Sequence, residues 1–246
     1  MNSNEMEQGK IKKASGRRFI IPTIVILFSI IAALLYAALT MEPEPDPASE
    51  NFIRRSAAGW INTTTLLHKE PNDLNDSDFA KVTKLSIGYY VWDLRLLKKF
   101  TNLKELQLTN TRYPKNSVPK WLNILAKYGN YNLEKRFILD LNPIENLYNL
   151  EILNLDGSSC KNINPVSNLV NLRYLNLNNT QVTNLNSLKG AINLDTLCII
   201  NTSVSNLEPL MELKYLQRLF ITKCDNITDK QVEDLQKALP NLIIIR

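Results

Sequence analysis

The chain has 246 residues, 44% apolar and 22% charged, a composition that excludes an intrinsically disordered protein. The net charge is +5, but residues 1–18 hold +3 of it, through Lys10, Lys12, Lys13, Arg17 and Arg18 against Glu5 and Glu7. The +2 left to the rest of the chain excludes a nucleic-acid surface built on bulk charge.

The basic residues 1–18 run into FIIPTIVILFSIIAALLYAAL, residues 19–39, which carries no charge. About 20 apolar residues in a helix span a hydrocarbon core of ~30 Å. The run is longer than the apolar region of a cleaved signal peptide, and Tyr36-Ala37-Ala38-Leu39-Thr40 lacks the small-x-small cleavage pattern. Residues 19–40 are therefore expected to form an uncleaved transmembrane helix. Bases precede the span and the acidic MEPEPDPASE follows it. The positive-inside rule then puts residues 1–18 in the cytoplasm. Everything after Thr40 falls outside it, in a periplasm or at a cell surface, and the chain reads as a single-pass cell-membrane protein. Ser29, Ala33 and Ala37 recur at every fourth position and offer a seam for homo-oligomers, although small residues are common in such spans. Pro43, Pro45 and Pro47 make residues 41–50 a stiff, acidic spacer.

From residue 82 onward leucines return at a fixed period. Leu172, Leu175, Leu177 and Leu185 reappear 22 positions later as Leu194, Leu197, Ile199 and Leu207, and 22 earlier as Leu150, Leu153, Leu155 and Ile163. Units beginning at Val82, Leu103, Tyr128, Leu150, Leu172, Leu194, Leu216 and Leu242 account for residues 82–246. Such self-similarity marks a stacked solenoid. The alternating first part of each unit predicts a strand with leucines inward. The later apolar slots, three apart, predict a 3-10 or short helical turn on the opposite side. One unit buries too little apolar surface to offset the entropy of ordering it, so the units must share faces. The eighth position after the first leucine is small and polar: Thr111, Ser158, Thr180, Thr202 and Cys224. Those groups are placed to bond backbone left unpaired inside the coil. The other asparagines are expected in turns, bonding their own backbone.

LNLNNTQVTNL, NPVSNLVNL and LQKALPNLIIIR resemble the leucine-rich repeat family, specifically its bacterial internalin-type class of 22 residues. The resemblance implies an α/β horseshoe with a parallel concave sheet and a 3-10 or helical convex side. It also implies a helical cap in residues 51–81, closing the first coil with Phe52, Ile53, Trp60 and Ile61. The unit at Tyr128 departs from the pattern, with Arg136 in the small polar slot. Irregularity is expected near residues 110–137.

Nothing predicts an enzyme. The one histidine, His68, has no cysteine or nucleophile near it in sequence, and no metal or cofactor site is expected. Cys160 falls in a core slot, Cys224 in the small polar slot and Cys198 on an outward strand position, which argues against a disulfide framework. The outward positions collect Ile152, Tyr174, Cys198, Ile200, Arg218 and Phe220 toward the C-terminal half, with Glu134 and Asp156 as an acidic rim. An apolar cluster rimmed by polar groups marks a protein-binding surface, unless the C-terminal tail covers it. The expected function is a membrane-anchored module holding a protein or envelope partner on its concave face. The alternative is a structural or assembly element of the envelope that uses the repeats as a spacer.

Overall fold

The computed structural model describes residues 47–65, 69–88, 93–109 and 139–246. The expected membrane span at residues 19–39, with Ser29, Ala33 and Ala37, lies outside the described residues, as does His68. Among the described residues no helix is long and apolar enough to cross a membrane.

Seven parallel strands form one sheet in sequence order: β1 Lys84–Gly88, β2 Glu105–Thr109, β3 Ile152–Asn154, β4 Tyr174–Asn176, β5 Thr196–Cys198, β6 Arg218–Phe220 and β7 Ile243–Ile245. Strands β1 to β6 each lead toward a convex segment. Most of these are 3-10 turns, at Arg95–Lys99, Asn142–Ile144, Asn164–Asn168, Asn186–Gly190 and Glu208–Leu210. The spacing of three among the convex apolar slots has a direct cause. The buried Leu188 donates its N–H to Leu185 O at 2.9 Å, Ala191 to Leu188 O at 2.9 Å, and Leu194 to Ala191 O at 3.0 Å. The same chain of bonds recurs through Ile163, Val166, Leu169 and Leu172. Core residues are thus also the bonded residues of a 3-10 path, and i→i+3 bonding sets their period.

The small polar slot behaves as its chemistry requires. Thr180 and Thr202 are buried and donate their hydroxyls to Leu177 O at 2.6 Å and Ile199 O at 2.7 Å. One position earlier the backbone turns left-handed, at Gly157 (φ 67°), Asn179 (56°), Asn201 (55°) and Lys223 (60°). Glycine and asparagine fit that conformation, while Lys223 adopts it at some steric cost. Asparagines also do more than shape turns. Asn162, Asn184 and Asn206 each accept, through Oδ1, the first N–H of the 3-10 turn that follows. Asn102, Asn149, Asn171 and Asn193, however, reach across to the preceding coil, where each Nδ2 donates to a backbone oxygen: Ala80 O, Thr101 O, Tyr148 O and Val170 O, at 2.8–3.1 Å.

One expected coil is absent from the sheet. β2 pairs directly with β3, Glu105 opposite Ile152 and Gln107 opposite Asn154, so no strand from a unit at Tyr128 stands between them. Leu103 and Leu150 are 47 positions apart, 25 more than one 22-residue coil. Setting residues 112–136 aside restores the pattern in sequence: Ile138 takes the slot of Val182, Asp140 that of Asn184 and Leu141 that of Leu185. The sequence between β2 and β3 therefore has the length of one coil plus 25 residues, where spacing alone predicted two coils.

Helix α1, Pro47–Thr65, caps the stack and begins inside the stretch read as spacer. Ile53, Ala57 and Ala58 are buried in the common core; the side chains of Phe52, Trp60 and Ile61 lie outside the described residues. Arg54 ties the cap down, pairing with Glu50 at 2.8 Å, donating to Leu74 O at 3.3 Å and lying 5.4 Å from the Phe79 ring. Phe79 packs on Phe100 with centroids 5.0 Å apart. The short helix α2, Asp76–Phe79, starts with a reciprocal capping box between Asn75 and Asp78.

Asp78 is fully buried and accepts from Lys69 at 2.7 Å, Asn75 N at 3.1 Å and Lys81 at 3.3 Å. The Lys69 hydrogen bond chiefly holds its pKa at about 2. A carboxyl lowered on folding stabilises the fold above its unfolded pKa of ~4 and loses that contribution as pH falls toward 2. Asp78→Asn should cost about 2 kcal/mol at pH 7, a gap that closes between pH 4 and 2. Urea titrations at both pH values test this; a gap unchanged at pH 2 contradicts it. Deleting residues 112–136 should leave a cooperatively unfolding protein with its thermal midpoint moved by only a few degrees. An aggregated or molten deletion product would mean the insertion is built into the stack.

Candidate binding surface on the concave face

The outward side chains of β1 to β7 form two rows across the sheet, and parallel pairing fixes their order. Ile152, Tyr174, Thr196, Arg218 and Ile243 stand in one row, and Asn154, Asn176, Cys198, Phe220 and Ile245 in the next. The first strands carry Lys84 and Ser86, then Glu105 and Gln107. Here Lys84 pairs with Glu105 at 3.0 Å and Gln107 donates to Glu105 at 2.8 Å, and Lys84 chiefly lowers the Glu105 pKa. This end is polar and internally satisfied.

The C-terminal half differs. Ile152, Tyr174, Ile200 and Phe220 are half-buried, and Arg218 is exposed. Arg218 leans on Thr196 Oγ1 at 3.3 Å and pairs with Asp195 at 3.6 Å. The predicted residues are brought together, with three corrections. Cys198 points outward but is 7% exposed, because Tyr174, Asn176, Arg218 and Phe220 crowd the curved sheet around it. Its sulfur sits 3.9 Å from the Tyr174 hydroxyl. Glu134 lies outside the described residues, and no strand stands between β2 and β3 to carry it into the rows. Asp156 remains at the edge, half-buried, accepting from Asn179 Nδ2 at 2.8 Å.

The third correction concerns register. Counting from Leu242 as the first leucine of its unit puts Ile244 outward, two positions on, but β7 pairs with β6 so that Leu219 faces Ile244 and Arg218 faces Ile243. Leu242 donates to Leu239 O as the first leucine of a coil does, yet Ile243 follows at the second outward position, one residue early. That lost residue flips the strand's faces. Ile243 and Ile245 are therefore outward, 59% and 40% exposed, while Ile244 packs against the core. Sequence reasoning missed both; the signal available was the unbroken Leu-Ile-Ile-Ile, which lacks the polar residue of other strand starts. The tail does not cover this surface, because Arg246 turns away to pair with Asp229 and donate to Ile227 O at 3.1 Å.

The site offers binding chemistry. Burial raises the thiol pKa of Cys198 and the phenol pKa of Tyr174, and pushes Cys160 up to about 12, so these groups stay neutral at pH 7. Among the described residues no group of three or more His, Cys, Asp or Glu could hold a metal ion.

No protein-family model matches the chain, and no curated protein matches it. Among solved structures it is similar to internalin C2 of Listeria monocytogenes, at 24% identity over 81% of this chain and 82% of that one, with a TM-score of 0.51. It is also similar to the internalin InlF of the same organism, at 22% identity over 84% of this chain, with a TM-score of 0.52. The match spans 59% of InlF. The fold is that of the leucine-rich repeat solenoids.

The register of β7 is open to test. Ile244→Asp should destabilise the domain by at least ~1 kcal/mol, because it drives a charge toward the core. Ile243→Asp should leave the denaturation midpoint within ~0.5 kcal/mol of wild type. The reverse ranking would restore the register read from spacing.

Proposed function

We propose that this chain is a single-pass envelope protein whose repeat domain holds a protein partner on the C-terminal half of its concave face. The observation that carries the reading is the apolar surface there, left open by the described residues: Ile200 and Phe220 half-buried, Ile243 and Ile245 exposed, and Arg218 exposed beside them. Apolar clusters of this kind with polar margins are interaction surfaces, and Tyr and Arg are frequent anchors within them. Parallel strands hold the side chains on a fixed backbone, so binding loses little backbone freedom. The charge-paired N-terminal half contributes a polar margin, and Asp156 favours a partner with some positive charge. The anchor is supported by the charge-free run at residues 19–39 and the five bases before it. A pure spacer leaves the exposed isoleucines with no occupant.

Two measurements test this. Protease added to intact spheroplasts should digest the repeats while residues 1–18 stay protected; survival of the repeats until lysis would reverse the orientation. Photo-crosslinking side chains placed at Ile245 and, separately, at Ser86 should give an adduct in the native envelope only from Ile245. Tyr174→Ser combined with Phe220→Ser should abolish that adduct while shifting the thermal midpoint by only a few degrees, since neither residue points into the coil. Equal adducts from both positions, or an adduct that survives the double substitution, sinks the concave-face reading.

A further inference from the structure

The flank where each coil enters its strand carries rows of its own, separate from the concave rows. Two positions before the leading leucine stand Thr101, Tyr148, Val170 and Ile192, and one position after it stand Lys104, Glu151, Arg173 and Asp195. Between the two rows lie Asn102, Asn149, Asn171 and Asn193, each fastened to the coil before it. Tyr148, Val170 and Ile192 are 46–56% exposed. Because the coils stack in register, the three form one apolar stripe, and the exposed Tyr215 stands at its end. Single exposed apolar residues are ordinary, but a stripe set beside a charged row marks a contact surface. Along the charged row runs an open cleft of about 410 Å³, which Glu151, Arg173, Asp195 and Tyr215 help to line.

The order of the charges, not their sum, is what this flank offers. Lys104 pairs with Glu151 at 3.0 Å, and Asp195 pairs at 3.6 Å with Arg218 from the concave margin. Arg173 makes no ion pair with any described residue. The four charges of the row cancel, and Arg218 beside them leaves only +1, too little to select an anion by its sign. Along the stack the row reads plus, minus, plus, minus; reversed, it is its own complement. A second copy, turned about a two-fold axis across the stack between the coils at Leu150 and Leu172, therefore sets Lys104 opposite Asp195 and Glu151 opposite Arg173, each pair twice. The same rotation sets Tyr148 opposite Val170 and Ile192 opposite Thr101. Other two-folds fail. An axis along the stack faces every charge with its own kind, and one through the coil at Leu172 opposes Arg173 to itself and Glu151 to Asp195. Moving the axis by one coil leaves two of the four charges without an unlike partner. Such self-complementarity is what an isologous contact requires.

We propose that this flank is the contact between two copies of the chain, joined antiparallel about that axis, with the apolar stripes packed together and the charged rows interlocked. The contact does not use the concave rows. Crosslinking of the full-length protein in detergent tests it. A chain carrying both Thr101→Cys and Ile192→Cys, treated with a short bismaleimide, should give a crosslinked dimer. Either substitution alone should give at least ~tenfold less, because each position lies three coils, ~14 Å along the flank, from its own equivalent in the other copy. Cys160, Cys198 and Cys224 are buried and do not compete. Adding Arg173→Glu sets two carboxylates face to face twice and should cut the crosslink at least ~tenfold. Adding Glu151→Arg as well re-forms both pairs and should restore it. The thermal midpoint should stay within a few degrees throughout, since none of these side chains is in the core. A dimer held only by the membrane span would crosslink without regard to the charges. The proposal is overturned by no crosslink in the double-cysteine chain, equal yields from the single-cysteine chains, a crosslink indifferent to Arg173→Glu, or one that the charge swap fails to restore.

Discussion

Every feature of this domain depends on one constraint: each coil must lie on the next in register, because no coil is stable alone. Ordering a coil costs more entropy than its own apolar side chains return, so their outer faces must be shared. Registry is enforced at several points around the coil. Backbone pairing fixes the strand side, with Leu153, Leu175, Leu197 and Leu219 opposite one another. The 3-10 path fixes the convex side, and the column of asparagines clips the edge between them. Gly190 shows how tight the fit is, since a Cβ there would lie 2.6 Å from Ser167 O in the coil before.

Much of this was legible in the sequence because stacking imposes a strict period. Leu172, Leu194 and their relatives occupy equivalent slots, and the buried hydroxyls of Thr180 and Thr202 bond as a small polar slot requires. The failures share a cause, for spacing counts residues and stacking counts coils. Tyr128 and Leu133 happen to fall on leucine slots, so residues 128–149 read as a further repeat, although β2 pairs directly with β3. A single residue missing before β7 reversed the faces of Ile243, Ile244 and Ile245. The burial of Cys198 was not legible, because it depends on Tyr174 and Phe220, which reach it only across neighbouring strands.

The same regularity separates the jobs of the surfaces. Inward and outward positions alternate on the strands, so the concave rows vary without disturbing the core. The insertion at residues 112–136 leaves the sheet continuous, with β3 taking up the pairing that β2 offers. The cap holds the first coil through Arg54, Phe79 and the buried carboxylate of Asp78, so the N-terminal end is sealed by charge and ring contacts.

The asparagine clips give the stack a mechanical character. Asn102, Asn149, Asn171 and Asn193 each fasten a coil to the one before it, and contacts beyond the nearest neighbour are few in such a fold. A load applied along the solenoid axis is therefore carried by every inter-coil seam in series, and the weakest seam yields first. Under tension such a body lengthens in even increments, as a coil spring losing one turn after another.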